Sequence, residues 1–345
     1  MQALVIGGTG FIGLSVVDAL LAAGASVRIT RRKQSATVLL RRRPVELVQA
    51  SLQEPERLRD AMTGCDVVFL CGAYYPRYSL DLDGALAEGV AGVRCACEAA
   101  LAAGVPRFVY TSTIATLARA QGGRPADERD VAWTRPHGSV YRAVKWEMEC
   151  EVDRARRRGL STVTLMPGGC MGPGDVRLGT GAVLVGVVRG ALSWWVDGVV
   201  NLVDIEDVAR AHLAAAHPTP SDRYCLSGHD VGVGWLLRYI AERYGGLAPE
   251  RQLAPADARA QADEDERRAA PARERVPIPR ELVDLITTGQ RVSSALACAE
   301  LGFEPRPLDD SLDRAHAWFV RHSYLPRPAT SRESSGAKET SDEST

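Results

Sequence analysis

The stretch 4-LVIGGTGFIG-13 limits what this chain can fold into more than any other. An apolar strand-like run leads into Gly7, Gly10 and Gly13, and a helix-compatible segment follows. Glycines at this spacing permit a tight turn, a close approach of backbone to a pyrophosphate, and close packing of helix on strand. The unpaired N–H groups at the start of such a helix face phosphate oxygens, aided by the helix dipole. Thr9, Phe11 and Ile12 complete the cradle. A lone glycine triplet is a common turn; a strand before it and a helix after it point to dinucleotide binding.

The same alternation continues through the first half of the chain. Strand-like runs occur at 2–6, 26–30, 45–49, 66–70, 107–111 and 162–166, with helical candidates near 11–23, 54–63, 80–103 and 139–158. This is the rhythm of βαβ units and a parallel sheet. Residues 118–137 lack periodicity and predict a long loop, a common place for function. After 166-MPGGCMGPGD-175 the alternation gives way to shorter elements: 182–192, 202–204, a helix over about 205–216, a strand at 223–227 and a helix near 233–244. The expected organisation is a dinucleotide-binding part over residues 1–175, a smaller lobe over 176–325 with some chain crossing back near 200–216, and a tail over 326–345 with the composition of disorder. The charged segment 248–280 reads as an exposed helix or a mobile insertion.

The formal net charge of −1 over 345 residues offers nothing that would steer the chain toward nucleic acid or an anionic membrane. No apolar run approaches the length of a membrane span, and strand 2–6 leaves no room for a leader, so a cytoplasmic protein with a small-molecule substrate is expected. The eight cysteines contain no C-x-x-C pair and read as reduced, mostly buried thiols, with no metal site implied. Only three lysines (Lys33, Lys145, Lys338) occur among 42 basic residues, so a lysine in a motif carries weight.

Two motifs bear on chemistry. At the end of the second strand, where an acidic residue would accept hydrogen bonds from the adenosine ribose of NAD, the sequence is 28-RITRRK-33. Arg31 and Arg32 suit a 2′-phosphate instead, favouring NADP(H) over NAD(H). At 141-YRAVK-145, Tyr141 and Lys145 stand four residues apart on a predicted helix and share a face. An ammonium beside a phenol is expected to lower its pKa and make Tyr141 a proton donor or acceptor near neutral pH. The strand 107-RFVYT-111 runs into Ser112 and Thr113, either of which can bond a substrate oxygen from a strand's carboxyl end.

With these residues assembled, the chain resembles the extended short-chain dehydrogenase/reductase family over about residues 1–322, through GGTGFIG (7–13), CDVVFLCGA (65–73), RFVYTST (107–113), YRAVKWEME (141–149), PGGCMGPGD (167–175), NLVDIEDVARAHLAA (201–215) and ELGFEP (300–305). Within that family it is similar to the dihydroflavonol reductase-like and hopanoid-associated sugar-epimerase-like branch. The resemblance implies a Rossmann-like doubly wound parallel sheet with a smaller C-terminal substrate lobe. It also implies Tyr141 as catalytic acid/base, Lys145 as the residue that binds the nicotinamide ribose and tunes Tyr141, and Thr113 at the serine/threonine position. Pro167, Gly168 and Gly169 would line the nicotinamide, and Cys71, Gly72 and Ala73 would pass beneath the cofactor. Helices 80–103 and 139–158 would pair across the two-fold axis of a homodimer.

Two positions depart from the family pattern. Ser51, followed by Leu52, stands where an aspartate usually faces the adenine, and Gly89 replaces an active-site asparagine, with Asn201 too far along to substitute. Tyr74, His137, Trp194 and Trp195 are candidate substrate contacts, with one tryptophan readable as core and His137 as an exposed loop residue. The leading reading is an NADPH-dependent ketone or aldehyde reductase acting on a fairly apolar molecule. A nucleotide-sugar epimerase or dehydratase holding NAD is the rival, kept open by Arg177 and Arg189, and a non-catalytic cofactor-binding regulator is a third.

Overall fold

Strand β1 (Gln2–Ile6) is covered on both faces: Ala3 and Val5 pack into one core, Leu4 and Ile6 into another, none more than 4% exposed. A strand buried on both sides belongs in the middle of a helix-flanked parallel sheet. The computed structural model describes residues 1–76 and 78–326. The further strands are β2 (Ser26–Arg31), β3 (Val45–Gln49), β4 (Val67–Leu70), β5 (Phe108–Thr111), β6 (Thr162–Pro167), β7 (Gly169–Met171), β8 (Trp195–Val196), β9 (Val199–Asp204), β10 (Arg223–Leu226), β11 (His229–Gly232) and β12 (Gln252–Leu253). The helices are α1 (Phe11–Ala22), α2 (Pro55–Met62), α3 (Leu82–Ala103), α4 (Val140–Arg157), α5 (Ala182–Val188), α6 (Ile205–Ala214), α7 (Val233–Tyr244), α8 (Pro255–Ala269), α9 (Arg280–Thr287), α10 (Ala295–Leu301) and α11 (Leu308–Arg321).

The main sheet has seven parallel strands in the order β10-β6-β5-β4-β1-β2-β3. Helices α1 and α6 supply one face's core, and α2, α3 and α4 the other's. Strand order reverses between β1 and β4, so the crevice at their carboxyl ends is where such a sheet receives a ligand. Local signals place the helices that border it. Asp81 accepts from Gly84 N at 2.8 Å to cap α3, which stops at Gly104 in the left-handed region. Ser139 accepts from Arg142 N at 3.1 Å to cap α4.

The second lobe is built on the three-stranded sheet β11-β9-β7 and the pair β12-β8, covered by α5, α7, α8, α9 and α11. Strand β10, grouped from sequence with the lobe's shorter elements, instead extends the main sheet, because Arg223–Leu226 find free backbone partners along Thr164–Pro167. The charged segment 248–280 is likewise no mobile insertion. Its helix α8 buries Ala258, Ala262 and Glu266 completely, and Arg259 clasps Asp284 on α9 at 2.9 Å. Small residues four apart made that buried stripe invisible beneath the charge. The loop 118–137 forms no helix and is tied down by Arg124 to Asp130 at 2.6 Å. Cys65, Cys97, Cys170 and Cys225 are buried free thiols, whereas Cys298 is exposed. No helix among the described residues is long and apolar enough to cross a membrane. The predicted tail lies, from residue 327 on, outside the described residues.

Candidate active site

The turn after β1 and the turn after β4 touch each other. Gly7 has φ +90°, and a Cβ there would stand 2.4 Å from the Cα of Gly72; a Cβ on Gly13 would stand 2.2 Å from the Gly7 carbonyl. Glycine is the residue that fits both positions. Gly10 donates to the Gly7 carbonyl at 2.8 Å and precedes α1 without a side-chain cap. The first-turn amides of Phe11, Ile12 and Gly13 therefore have no intrahelical acceptor and suit an anion. Cys71 and Gly72 both donate to the Ile6 carbonyl, which brings 71–73 to the floor of the same crevice. A dinucleotide pyrophosphate fits this backbone cradle.

Arg31 closes β2 half-buried, with Arg32 exposed beside it, and neither guanidinium forms an ion pair among the described residues. Both remain available to a phosphate. Ser51 and Leu52 follow β3 without a carboxylate, and Leu52 packs on Gly92 of α3.

Tyr141, in the first turn of α4, is 9% exposed. Burial pushes its phenol well above the usual range, the neighbouring Tyr75 adds to this, and the nearby Thr113 hydroxyl opposes it. The sequence-based expectation of a lowered phenol pKa is thus corrected: desolvation raises it. Lys145, one turn on, is itself pushed down to about 8 by burial, opposed by the Glu149 carboxylate. Ser112 is not a partner of Tyr141; its hydroxyl donates to Glu149. That buried carboxylate also accepts from Thr116 Oγ1 at 2.7 Å and from Arg223 at 2.9 Å. Of the two candidate hydroxyls, Ser112 is taken up by Glu149, whereas Thr113 accepts from Ala115 N at 3.2 Å.

Pro167 ends β6, and Gly168 N donates to the Leu226 carbonyl at 3.1 Å. Asn201 stands directly behind: a Cβ on Gly168 would be 2.2 Å from its Oδ1. Its amide is held by Ser227 at 2.5 Å and Asp230 at 2.7 Å. The chain's single asparagine therefore supports 167–169. Gly89 is in no position to accept a larger residue, since a Cβ there would meet Met148 at 2.6 Å and Val144 at 2.8 Å.

Trp194 is 4% exposed in the second lobe's core, and the half-buried Trp195 lies over Gly234. Tyr74 packs half-buried against the α2–α4 core. His137 is exposed and, with Arg135, lines a cavity of about 200 Å³ at the start of α4. Arg189 donates to the Tyr324 carbonyl at 2.8 Å, and the Arg177 carbonyl accepts from Arg275 at 2.6 Å. The aromatic ring beside Tyr141 is Tyr75, 61% exposed with its centroid 5.0 Å from that of Tyr141. Sequence reading missed it, along with the buried Glu149 and Glu281. Tyr75 follows directly on 71–74, so its place in the chain was a usable clue. The carboxylates were less visible, because their hydrogen-bond partners lie far away in sequence.

Comparison with known proteins bears on the fold and the family. A sterol demethylase protein B of Methylococcus capsulatus is 29% identical over 333 residues, covering 94% of this chain and 100% of that protein. A Synechocystis sp. protein named as a dihydroflavonol 4-reductase is 28% identical over 327 residues, covering 93% and 95% of the two chains. The solved structure of a nucleoside-diphosphate-sugar epimerase from Pseudomonas aeruginosa superposes with a TM-score of 0.79 at 28% identity, covering 94% and 99%. The model of the NAD dependent epimerase/dehydratase family matches residues 3–224. This chain belongs to that family, as an oxidoreductase of the extended short-chain dehydrogenase/reductase type.

Proposed function

We propose that the protein is an NADP(H)-preferring reductase that interconverts a carbonyl and an alcohol on a fairly apolar small molecule, with Tyr141 as acid/base. The observation that carries the reading is the grouping of Thr113, Tyr141 and Lys145 beside the crevice between β1 and β4. When bound, the dinucleotide supplies or accepts a hydride at its nicotinamide ring. Tyr141 holds the proton that passes to the substrate oxygen during reduction. Thr113, whose own oxygen accepts from Ala115 N at 3.2 Å, has its hydroxyl proton free for that oxygen. The Lys145 ammonium favours the phenolate left behind. Burial of both groups strengthens their interaction. Arg31 and Arg32 take the 2′-phosphate, NAD(H) being the alternative cofactor. Assembly as a homodimer through α3 and α4 belongs to the same reading.

A second reading, a nucleotide-sugar epimerase, draws support from the likeness to the Pseudomonas aeruginosa epimerase. Titration with NADPH and NADH, followed by a panel of aromatic and isoprenoid ketones and of nucleotide sugars, separates the two. The proposal expects NADPH to bind at least ~10-fold tighter than NADH and Arg31→Asp to reverse that order. Tight NADH binding with sugar turnover and no ketone turnover would replace the reductase by the epimerase. Full turnover by Tyr141→Phe would remove the acid/base assignment from both.

A further inference from the structure

Glu281 is 3% exposed, lies in the first turn of α9 in the second lobe, and forms no ion pair among the described residues. An unpaired carboxylate held that deep is costly unless its oxygens are hydrogen-bonded. Three donors from elsewhere in the chain meet it. Its Oε1 accepts from the backbone N of Tyr141 at 2.9 Å and from the Ser79 hydroxyl at 2.8 Å; its Oε2 accepts from the Ser139 hydroxyl at 2.8 Å. Ser139 is the residue that caps α4, so one carboxylate holds both the cap and the amide of the catalytic residue itself.

The Ser79 contact fixes a second segment. Residues 71–81 link β4 to α3 and carry Cys71, Gly72 and Ala73 on the crevice floor and Tyr75 beside the Tyr141 ring. The far end of this loop is anchored to the second lobe: Ser79 N donates to the buried Glu266 of α8 at 2.6 Å, and the Tyr78 hydroxyl donates to the Glu274 carbonyl at 2.5 Å. Glu266 in turn accepts from Arg280 N at 2.9 Å, next to Glu281. Helix α4 and the loop belong to the main sheet, whereas α8 and α9 belong to the second lobe.

We propose that Glu281 is a positioning residue that locks the first turn of the catalytic helix to the 71–81 loop, so that packing of the second lobe sets the orientation of Tyr141. The proposal rests on Tyr141 as the acid/base. The carboxylate touches no reacting atom; its effect runs through the Tyr141 amide and the Ser79 hydroxyl. Misplacing a catalytic group by about 1 Å costs on the order of a hundredfold in rate, so loosening this joint lowers turnover more than cofactor affinity, which depends on the glycine turn across the crevice.

The test compares parent, Glu281→Ala, Glu281→Gln and Ser79→Ala by amide hydrogen exchange, NADPH titration and steady-state kinetics. Glu281→Ala is expected to speed exchange in both 139–147 and 71–81, to lower kcat roughly tenfold or more, and to leave the NADPH Kd within about threefold. Glu281→Gln keeps an acceptor oxygen for Ser79 and Tyr141 N and recovers most of the kcat. Exchange in 139–147 as slow as in the parent, or a parental kcat for Glu281→Ala, overturns the proposal. If Glu281→Ala does not fold, Ser79→Ala decides: faster loop exchange with a lower kcat supports the joint, and an unchanged kcat refutes it. Tyr141→Phe run alongside keeps the two levels apart. An active Tyr141→Phe removes the acid/base reading, whereas an inactive Tyr141→Phe beside a fully active Glu281→Ala removes only the joint.

Discussion

Ser112 and Thr113 are adjacent in the chain, yet their hydroxyls face different neighbours: Ser112 donates to the buried carboxylate of Glu149, and Thr113 accepts from the backbone N of Ala115 at 3.2 Å. Thr113→Ala is therefore expected to lower kcat by about tenfold to a hundredfold with little change in stability. Ser112→Ala leaves a buried carboxylate short of one donor and is expected to cost about 1–3 kcal/mol of stability. Urea unfolding and steady-state kinetics on both variants check this. The assignment is wrong if Ser112→Ala loses turnover and Thr113→Ala does not.

Lys145 binds its proton more weakly in the folded protein, at about 8, than a free lysine does at 10.5. The unfolded chain therefore holds more protons between those values, and stability rises with pH across that window. Replacing the ammonium by a similar apolar chain, Lys145→Met, is expected to raise the Tm at pH 7. The difference from the parent should fade near pH 10.5, while turnover falls by a factor of about 100 or more. Calorimetry at the two pH values decides; an equal Tm difference at both would contradict the depressed pKa.

His212 is completely buried between the Thr111 hydroxyl at 2.8 Å and the Val208 carbonyl at 2.7 Å, and burial lowers its pKa from 6.5 to about 4. The folded state holds it neutral while the unfolded state protonates it. The stability it preserves is complete above pH 6.5 and declines by about 1.4 kcal/mol per pH unit down to about pH 4. His212→Gln is expected to show a shallower acid limb than the parent in urea titrations at pH 4, 5 and 6.5. Parallel limbs would mean that the imidazole stays accessible to protons.

Gly89 leaves no room for a side chain beneath Val144 and Met148. Gly89→Ala is expected to destabilise by about 1–3 kcal/mol through overpacking. Combining it with Val144→Ala should cost less than the sum of the two single changes, because the second opens the space the first needs. Simple additivity in denaturant unfolding would argue against a direct clash.

Much of the main sheet was legible in the chain's periodicity. The continuous apolar runs of β1, β4 and β5 announce strands buried on both faces, and α1, α3 and α4 appear within two residues of their expected bounds. The less regular second half resisted reading. Helix α8 hides its buried alanines among charges, and β10 is a short run whose place depends on the free edge of β6. In the candidate site, Gly7, Gly13, Tyr141 and Lys145 stand out because backbone geometry and i,i+4 spacing are local properties. Trp194 did not reveal its core position, since a pair of tryptophans looks the same in a core as on a substrate surface.

The sequence by itself determined the glycine turn, the strand segments of the main sheet and the shared face of Tyr141 and Lys145, because each follows from residue spacing within a short stretch of chain. Only the tertiary structure decided that Ser112 is taken up by Glu149, what stands behind Gly168, and that Glu281 holds the amide of Tyr141 from 140 positions away. Burial did the rest. Desolvation, a property of the packed site alone, raised the phenol and lowered the ammonium that pairwise charge reasoning had expected to act first.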